Sequence, residues 1–211
     1  MQRRHFVITP VASVTVAVAA ALTAAAPAIA AVTVGQKAPD FSAKDTLGKT
    51  VSLADFKGKT VVLEWVNPGC PYVKKHYNGG NMQSTQKDAA DKGVVWLAIN
   101  STDTGHPDYL APAALQKWMT EQKAPATHTL MDESGKIGQL YAARTTPHMY
   151  IINPQGNLIY AGGIDSIATA NPADIKTATN YVKQSLGETL AGKPVSAANT
   201  RPYGCSVKYK T

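Results

Sequence analysis

A short apolar run that ends at a cysteine-bearing turn is the feature that most constrains the fold. Residues 59–66, KTVVLEWV, are almost all apolar, which is typical of a parallel strand buried on both faces. The turn Asn67-Pro68-Gly69 follows, and then Cys70, Pro71 and a helical pattern. Because proline favours the first position of a helix, the sequence predicts a strand, a tight turn and a helix with Cys70 at its N-cap.

Strands and helices alternate along the rest of the chain. A second buried strand is predicted at 94–100, and a hairpin at 148–163 that turns at Asn153-Pro154-Gln155-Gly156. This alternation indicates an α/β layer fold with a mixed sheet. The other predicted elements are a hairpin over 41–56, helices over 71–77, 82–93, 112–123 and 136–143, and a closing helix over 172–192.

The N-terminus resembles an export signal. Residues 1–30 have a basic start, an apolar middle and the ending Ala28-Ile29-Ala30, which predicts cleavage after Ala30 and a periplasmic or secreted protein. The apolar stretch 11–26 is also near the length of a membrane anchor. Arg3-Arg4 fits either a general or a twin-arginine signal. We therefore expect a signal peptide at 1–30, one domain at 31–192 and a tail at 193–211.

The charge pattern argues against nucleic-acid binding, and the two cysteines suggest redox chemistry or a disulfide. The formal net charge is +7 over 211 residues, but the charges are scattered and do not form the basic, aromatic-rich stripe of a nucleic-acid binder. Both cysteines, Cys70 and Cys205, follow the signal. In an oxidising compartment two such cysteines can pair.

Three segments carry a resemblance to a known family. VVLEWVNPGCPYV and YAARTTPHMYIINPQGNLIYAGGID resemble the thioredoxin-like redoxins, the group of alkyl hydroperoxide reductases and thiol-specific antioxidants. The C-terminal GCSVKY is similar to a peroxiredoxin-like subgroup with a Gly-Cys-Ser tail. The resemblance implies a thioredoxin-like α/β fold, in which helices flank a mixed central sheet, with an N-terminal β-hairpin and an irregular C-terminal tail.

The resemblance also implies roles for particular residues. Cys70 matches the attacking cysteine, Glu64 the buried acid beneath it, and Pro147 a cis-proline that faces the sulfur. No cofactor is implied. Substrate contacts are expected from Thr146, Pro71, Trp65 and Arg144.

The chain departs from the family pattern at two places. Val73 replaces the second cysteine of the motif, and Asn67-Pro68-Gly69 replaces the residues that precede a peroxidatic cysteine. The resemblance then leaves Cys205 as the resolving partner of Cys70. Intramolecular pairing is favoured, while dimerisation and exchange with an outside thiol remain alternatives.

The chemistry of Cys70 and Glu64 depends on their surroundings. A thiol attacks as a thiolate, and a helix N-terminus lowers its pKa, to which Lys74 and Lys75 can add positive potential. Glu64 in an apolar strand either exchanges protons beneath Cys70 or reaches solvent or a lysine.

These residues favour a redox enzyme. The hypothesis is a thiol–disulfide oxidoreductase or peroxiredoxin-like antioxidant that acts on thiols, disulfides or peroxides with an outside thiol reductant, as a monomer or homodimer. The alternative is a thioredoxin-like module without redox turnover. It would either bind copper or zinc through His76 and His148 with a cysteine, or be purely structural with a permanent disulfide.

Overall fold

The computed structural model describes residues 1–2 and 32–210, so the predicted signal peptide at 1–30 lies almost wholly outside the described residues. The chain forms a seven-stranded mixed sheet with helices on both faces and a separate two-stranded sheet. The strands are β1 (Ser42–Asp45), β2 (Thr50–Ser52), β3 (Val61–Trp65), β4 (Val95–Asn100), β5 (His128–Met131), β6 (Thr145–Thr146), β7 (His148–Ile152), β8 (Leu158–Gly162) and β9 (Cys205–Ser206). The helices are α1 (Pro71–Asn78), α2 (Asn81–Ala90), α3 (Pro112–Glu121), α4 (Lys136–Leu140) and α5 (Tyr181–Leu190), with short 3₁₀ turns at Leu53–Phe56 and Pro172–Lys176.

Strand β3 is an inner strand of the mixed sheet, between β4 and β7. The strand order is β2-β1-β5-β4-β3-β7-β8, in which β3, β4 and β5 run parallel and the other pairs are antiparallel. All five residues of β3 are buried, because strands pack on both of its edges and helices cover both of its faces. The predicted mixed α/β sheet and both predicted hairpins are confirmed.

Side chains of β3 alternate between two apolar clusters, as the pleat of a strand requires. Val62 packs with residues of α1, α2 and α5, whereas Leu63 and Trp65 pack on the opposite face with residues of α4. Glu64 shares the face of Val62. The strand therefore places one carboxyl group inside an otherwise apolar layer.

Two predictions about the C-terminal part were wrong in detail. The closing helix begins at Tyr181, not near 172, because the Asn180 side chain accepts the Lys183 N–H and starts the helix there. The tail is not wholly irregular, since β9 pairs antiparallel with β6. Between residues 32 and 210 no helix is both long and apolar enough to cross a bilayer.

The Tyr209 side chain packs the tail onto the domain, in the space that a side chain at Gly138 would otherwise occupy. A Cβ at Gly138 in α4 would lie 2.3 Å from the Tyr209 hydroxyl oxygen. That hydroxyl donates to the Ala143 carbonyl at 2.7 Å. The absence of a side chain at Gly138 therefore makes room for Tyr209.

We expect Gly138→Ala to destabilise the fold by about 1–3 kcal/mol, because the new methyl group displaces Tyr209. Gly187→Ala is the matched control, since Gly187 is also helical and a Cβ there meets nothing within 4 Å. The control should stabilise by roughly 0.5–1 kcal/mol through helix propensity. Urea unfolding of both variants measures the difference; equal effects would contradict this packing.

Candidate active site

Cys70 is the N-cap residue of α1 and is 3% exposed. The turn before it is closed by Asn67, whose side chain accepts the Gly69 N–H at 2.7 Å and whose carbonyl accepts the Cys70 N–H at 3.0 Å. Pro71 occupies the first turn of the helix. The sulfur thus lies at the positive end of α1, as the sequence predicts.

The backbone of Thr146 faces the Cys70 sulfur. The thiol donates to the Thr146 carbonyl oxygen at 3.0 Å. The Thr146–Pro147 peptide bond is cis, which confirms the conformation predicted for Pro147. These contacts place β6 directly beside the helix N-terminus.

The tail brings Cys205 to the same place. In the β6–β9 pair, Thr146 is opposite Cys205 and Thr145 is opposite Ser206. Each thiol shifts the pKa of the other, so the two side chains are neighbours, and the structure holds both as free thiols. Two cysteines far apart in sequence therefore meet across one backbone strand.

The two thiols differ in acidity. Burial opposes ionisation of Cys70, but the interaction with the Cys205 thiol, aided by the Val73 backbone N–H at the start of α1, outweighs it and lowers the Cys70 pKa. Burial, together with the bond to Cys70, raises the pKa of Cys205 to about 11. Cys70 is therefore the thiol that ionises first, and Cys205 stabilises the resulting thiolate as a donor.

Glu64 is fully buried and hydrogen-bonded to three donors. It accepts from the Tyr77 hydroxyl at 2.9 Å, the Gln86 amide at 3.0 Å and the Trp96 indole N–H at 2.8 Å. Burial raises its pKa to about 7 in spite of these bonds. The alternative in which Glu64 reaches solvent or pairs with a lysine is wrong. Its hydrogen bonds do not reach either sulfur, and its predicted role in proton exchange stays a prediction.

The remaining predicted contact residues occupy different environments. Pro71 and Arg144 are exposed, and the Arg144 carbonyl accepts the Val207 N–H of the tail at 3.0 Å. Trp65 is fully buried and its indole N–H donates to Ser101 at 3.0 Å. Because Trp65 is fully buried, a substrate cannot contact it in this structure. Val73 is also fully buried, so the position of the missing motif cysteine faces the core.

The histidines of the metal hypothesis belong to separate hydrogen-bond networks. His76 contacts the Tyr203 hydroxyl at 3.0 Å, while His148 contacts the Tyr150 hydroxyl at 3.1 Å. Burial lowers the pKa of His76 to about 4 and that of His148 to about 3. In the described part of the chain, no three His, Cys, Asp or Glu side chains are grouped so that they could hold a metal ion.

Sequence reasoning missed the residues that fix the tail. Tyr203 donates to the Asp165 carboxylate, and the Thr200 hydroxyl accepts the Gly163 N–H at 3.0 Å. Lys75, expected to act on Cys70, is instead buried beside Asp165 at 3.3 Å. The signal in the sequence was the pair of tyrosines on either side of Cys205, Tyr203 and Tyr209.

The fold and the cysteine at its helix N-terminus define a thioredoxin-like protein. The thioredoxin domain of a thiol-disulfide oxidoreductase from Bacteroides vulgatus superposes with a TM-score of 0.50 at 23% identity, over 70% of this chain and 98% of that chain. An uncharacterized conserved protein from Geobacillus kaustophilus superposes with a TM-score of 0.71 at 27% identity, over 84% of this chain and 93% of that chain.

Sequence comparison gives the family. The AhpC/TSA family model matches residues 34–161, and the chain belongs to this family. The thiol-disulfide oxidoreductase ResA of Bacillus subtilis (strain 168) is 26% identical over 125 residues, which are 59% of this chain and 64% of that relative. The match to the family model contains Cys70, Glu64 and Pro147 but ends before the tail with Cys205.

The buried Glu64 predicts an unusual dependence of stability on pH. The carboxyl group loses its proton near pH 4.5 in the unfolded chain but near 7 in the folded one. The folded state therefore binds more protons between these values, so this stabilisation is complete below the unfolded pKa and is lost as the pH rises through the folded pKa. Between pH 5 and 8 we expect the unfolding free energy of wild type to fall by about 2–3 kcal/mol relative to Glu64→Gln.

Urea unfolding at several pH values measures this difference. The glutamine variant is a suitable reference because, like the protonated acid, it is neutral, and its oxygen can still accept the Gln86 and Trp96 hydrogen bonds while its amide N–H faces Tyr77. Parallel pH curves for the two proteins would show that Glu64 keeps an ordinary pKa.

Proposed function

We propose that the protein is an exported thiol–disulfide oxidoreductase in which Cys70 is the nucleophile and Cys205 is the resolving thiol of the same chain. The observation that supports this most is the contact of the two thiols beside the Thr146 backbone. Membership of the AhpC/TSA family supports redox chemistry. Export rests on residues 1–30 and would place the protein in the periplasm or outside the cell.

Reduction of a substrate disulfide proceeds in two exchanges. The Cys70 thiolate attacks one sulfur of the substrate, the substrate S–S bond breaks, and one substrate thiolate leaves and takes up a proton. The Cys205 thiol then loses its proton, and its sulfur attacks Cys70 and releases the second substrate thiolate. Two electrons have passed to the substrate, and the chain holds a Cys70–Cys205 disulfide that an outside dithiol must reduce.

The unequal acidity of the thiols suits this order. The lower pKa of Cys70 supplies thiolate for the first attack and makes Cys70 the better leaving group when the disulfide is reopened. The raised pKa of Cys205 keeps it protonated until it is needed. Because Cys70 is 3% exposed whereas Cys205 is only half-buried, an incoming reductant meets the Cys205 sulfur more readily.

Reduction of a peroxide is the second candidate, since a sulfur this enclosed favours a small substrate. The Cys70 thiolate would attack one peroxide oxygen, which forms a sulfenic acid and releases an alcohol or water. Cys205 would then condense with the sulfenic acid to give the disulfide and water. The ratio of wild-type rates with a small disulfide and with a peroxide distinguishes the two substrates.

Substitution of each cysteine tests the roles. Cys70→Ser should lower disulfide reduction roughly 10³-fold or more, because no nucleophile remains. Cys205→Ser should retain the first exchange and accumulate a mixed disulfide on Cys70, which mass spectrometry can detect. Circular dichroism of both variants controls for folding. Activity retained in a folded Cys70→Ser variant would rule out the proposal.

A further inference from the structure

A buried polar cluster under α1 takes no part in the exchange between the sulfurs. Its members are Lys75, His76, Asp165 and Tyr203, which are 1%, 0%, 3% and 8% exposed. The Lys75 ammonium lies 3.3 Å from an Asp165 carboxylate oxygen and donates to the Ile167 carbonyl at 2.8 Å. Burial of charge is tolerated only where each polar atom has a partner. The cluster therefore fixes its members in one arrangement.

The Tyr203 hydroxyl is at the centre of this cluster. It donates to the Asp165 carboxylate, and its oxygen lies 3.0 Å from His76 Nε2. Burial lowers the pKa of His76 to about 4, so the ring is neutral at pH 7. The Asn81 amide donates to Nδ1 at 2.8 Å, which leaves the ring proton on Nε2 to donate to Tyr203. Donor and acceptor sites of the Tyr203 hydroxyl are thus both used.

The Tyr203 ring is held by the same helix that begins at Cys70. The Lys75 ammonium lies 5.5 Å from the ring centroid, and Tyr72 packs edge-on with centroids 5.9 Å apart. Ring and hydroxyl therefore both attach the tail to α1. Tyr203, two residues before Cys205, is therefore fixed to α1, the helix that positions Cys70.

Gly204 connects the fixed Tyr203 to Cys205. It has a φ of +131°, and a Cβ there would lie 2.1 Å from the Thr146 carbonyl oxygen. The chain consequently runs tightly across Thr146 from Tyr203 into β9. Cys70 is enclosed beneath this segment, and β9 occupies the backbone edge of β6.

We propose that Tyr203 is a positioning residue of the thiol site, whose hydroxyl, held by Asp165 and His76, latches residues 199–209 over Cys70. An outside disulfide reaches Cys70 only when this latch opens, and a polypeptide substrate must displace β9 from β6. The inference rests on the proposed role of Cys70 as nucleophile. The test measures access to the sulfur, not turnover, so the latch and the proposed function can fail separately.

The test is the rate at which N-ethylmaleimide modifies each cysteine of the reduced protein, followed by mass spectrometry of peptides. Tyr203→Phe keeps the ring and removes the hydroxyl. Loss of one hydrogen bond to a charged group should raise the open population, and with it the Cys70 rate, by about tenfold. The Cys205 rate should stay within about twofold of wild type, because Cys205 is already partly exposed.

Two further variants make the result decisive. Tyr141→Phe loses a tyrosine hydrogen bond that is part-buried, from its hydroxyl to the Pro39 carbonyl at 2.7 Å, on the other face of the sheet, and should change neither rate. His76→Leu removes the second hydroxyl partner and should raise the Cys70 rate, which keeps the test valid if Tyr203→Phe does not fold. An unchanged Cys70 rate in the folded variants, or an equal rise in Tyr141→Phe, would overturn the latch. Turnover that persists in a folded Cys70→Ser variant, together with the expected rise of the Cys70 rate in Tyr203→Phe, would count against the proposed function alone.

Discussion

The backbone of Thr146 is the element on which the thiol site depends. Its carbonyl accepts the Cys70 thiol at 3.0 Å, and its position in β6 is paired with Cys205 in β9. One residue therefore sets the position of both sulfurs. The Thr146–Pro147 peptide bond, which is cis, follows directly, and β7 then pairs with β3. Burial raises the pKa of Cys205, and this placement adds to the difference, because Cys205 donates to Cys70 and so favours the Cys70 thiolate.

Close approach of the tail requires particular small and aromatic residues. Gly204 lets the backbone pass the Thr146 carbonyl, and Gly138 leaves room for the Tyr209 ring. Tyr203 and Tyr209 then hold the segment on either side of Cys205 through hydrogen bonds to Asp165 and to the Ala143 carbonyl. Cys205 is consequently held next to Cys70 by a packed segment and not by a flexible tail.

Local patterns predicted most of the domain. The apolar run of β3, the Pro71 helix start and the turn at Asn153-Pro154-Gln155-Gly156 gave the right elements, because each depends on residues near in sequence. The start of α5 was missed because the cap of Asn180 competes with a helical pattern that begins earlier. The β6–β9 pair, the Lys75–Asp165 contact and the burial of Trp65 depend on distant segments, and no local periodicity reports them.

We propose that Cys70 and Cys205 exchange within one chain. The most direct measurement oxidises the reduced protein with one equivalent of hydrogen peroxide, digests it without reductant and maps the linked peptides by mass spectrometry. We expect the peptides with Cys70 and Cys205 to be joined in a protein that migrates as a monomer on a non-reducing gel. Two thiols that both remain open to alkylation, or links found only in dimers, would contradict it.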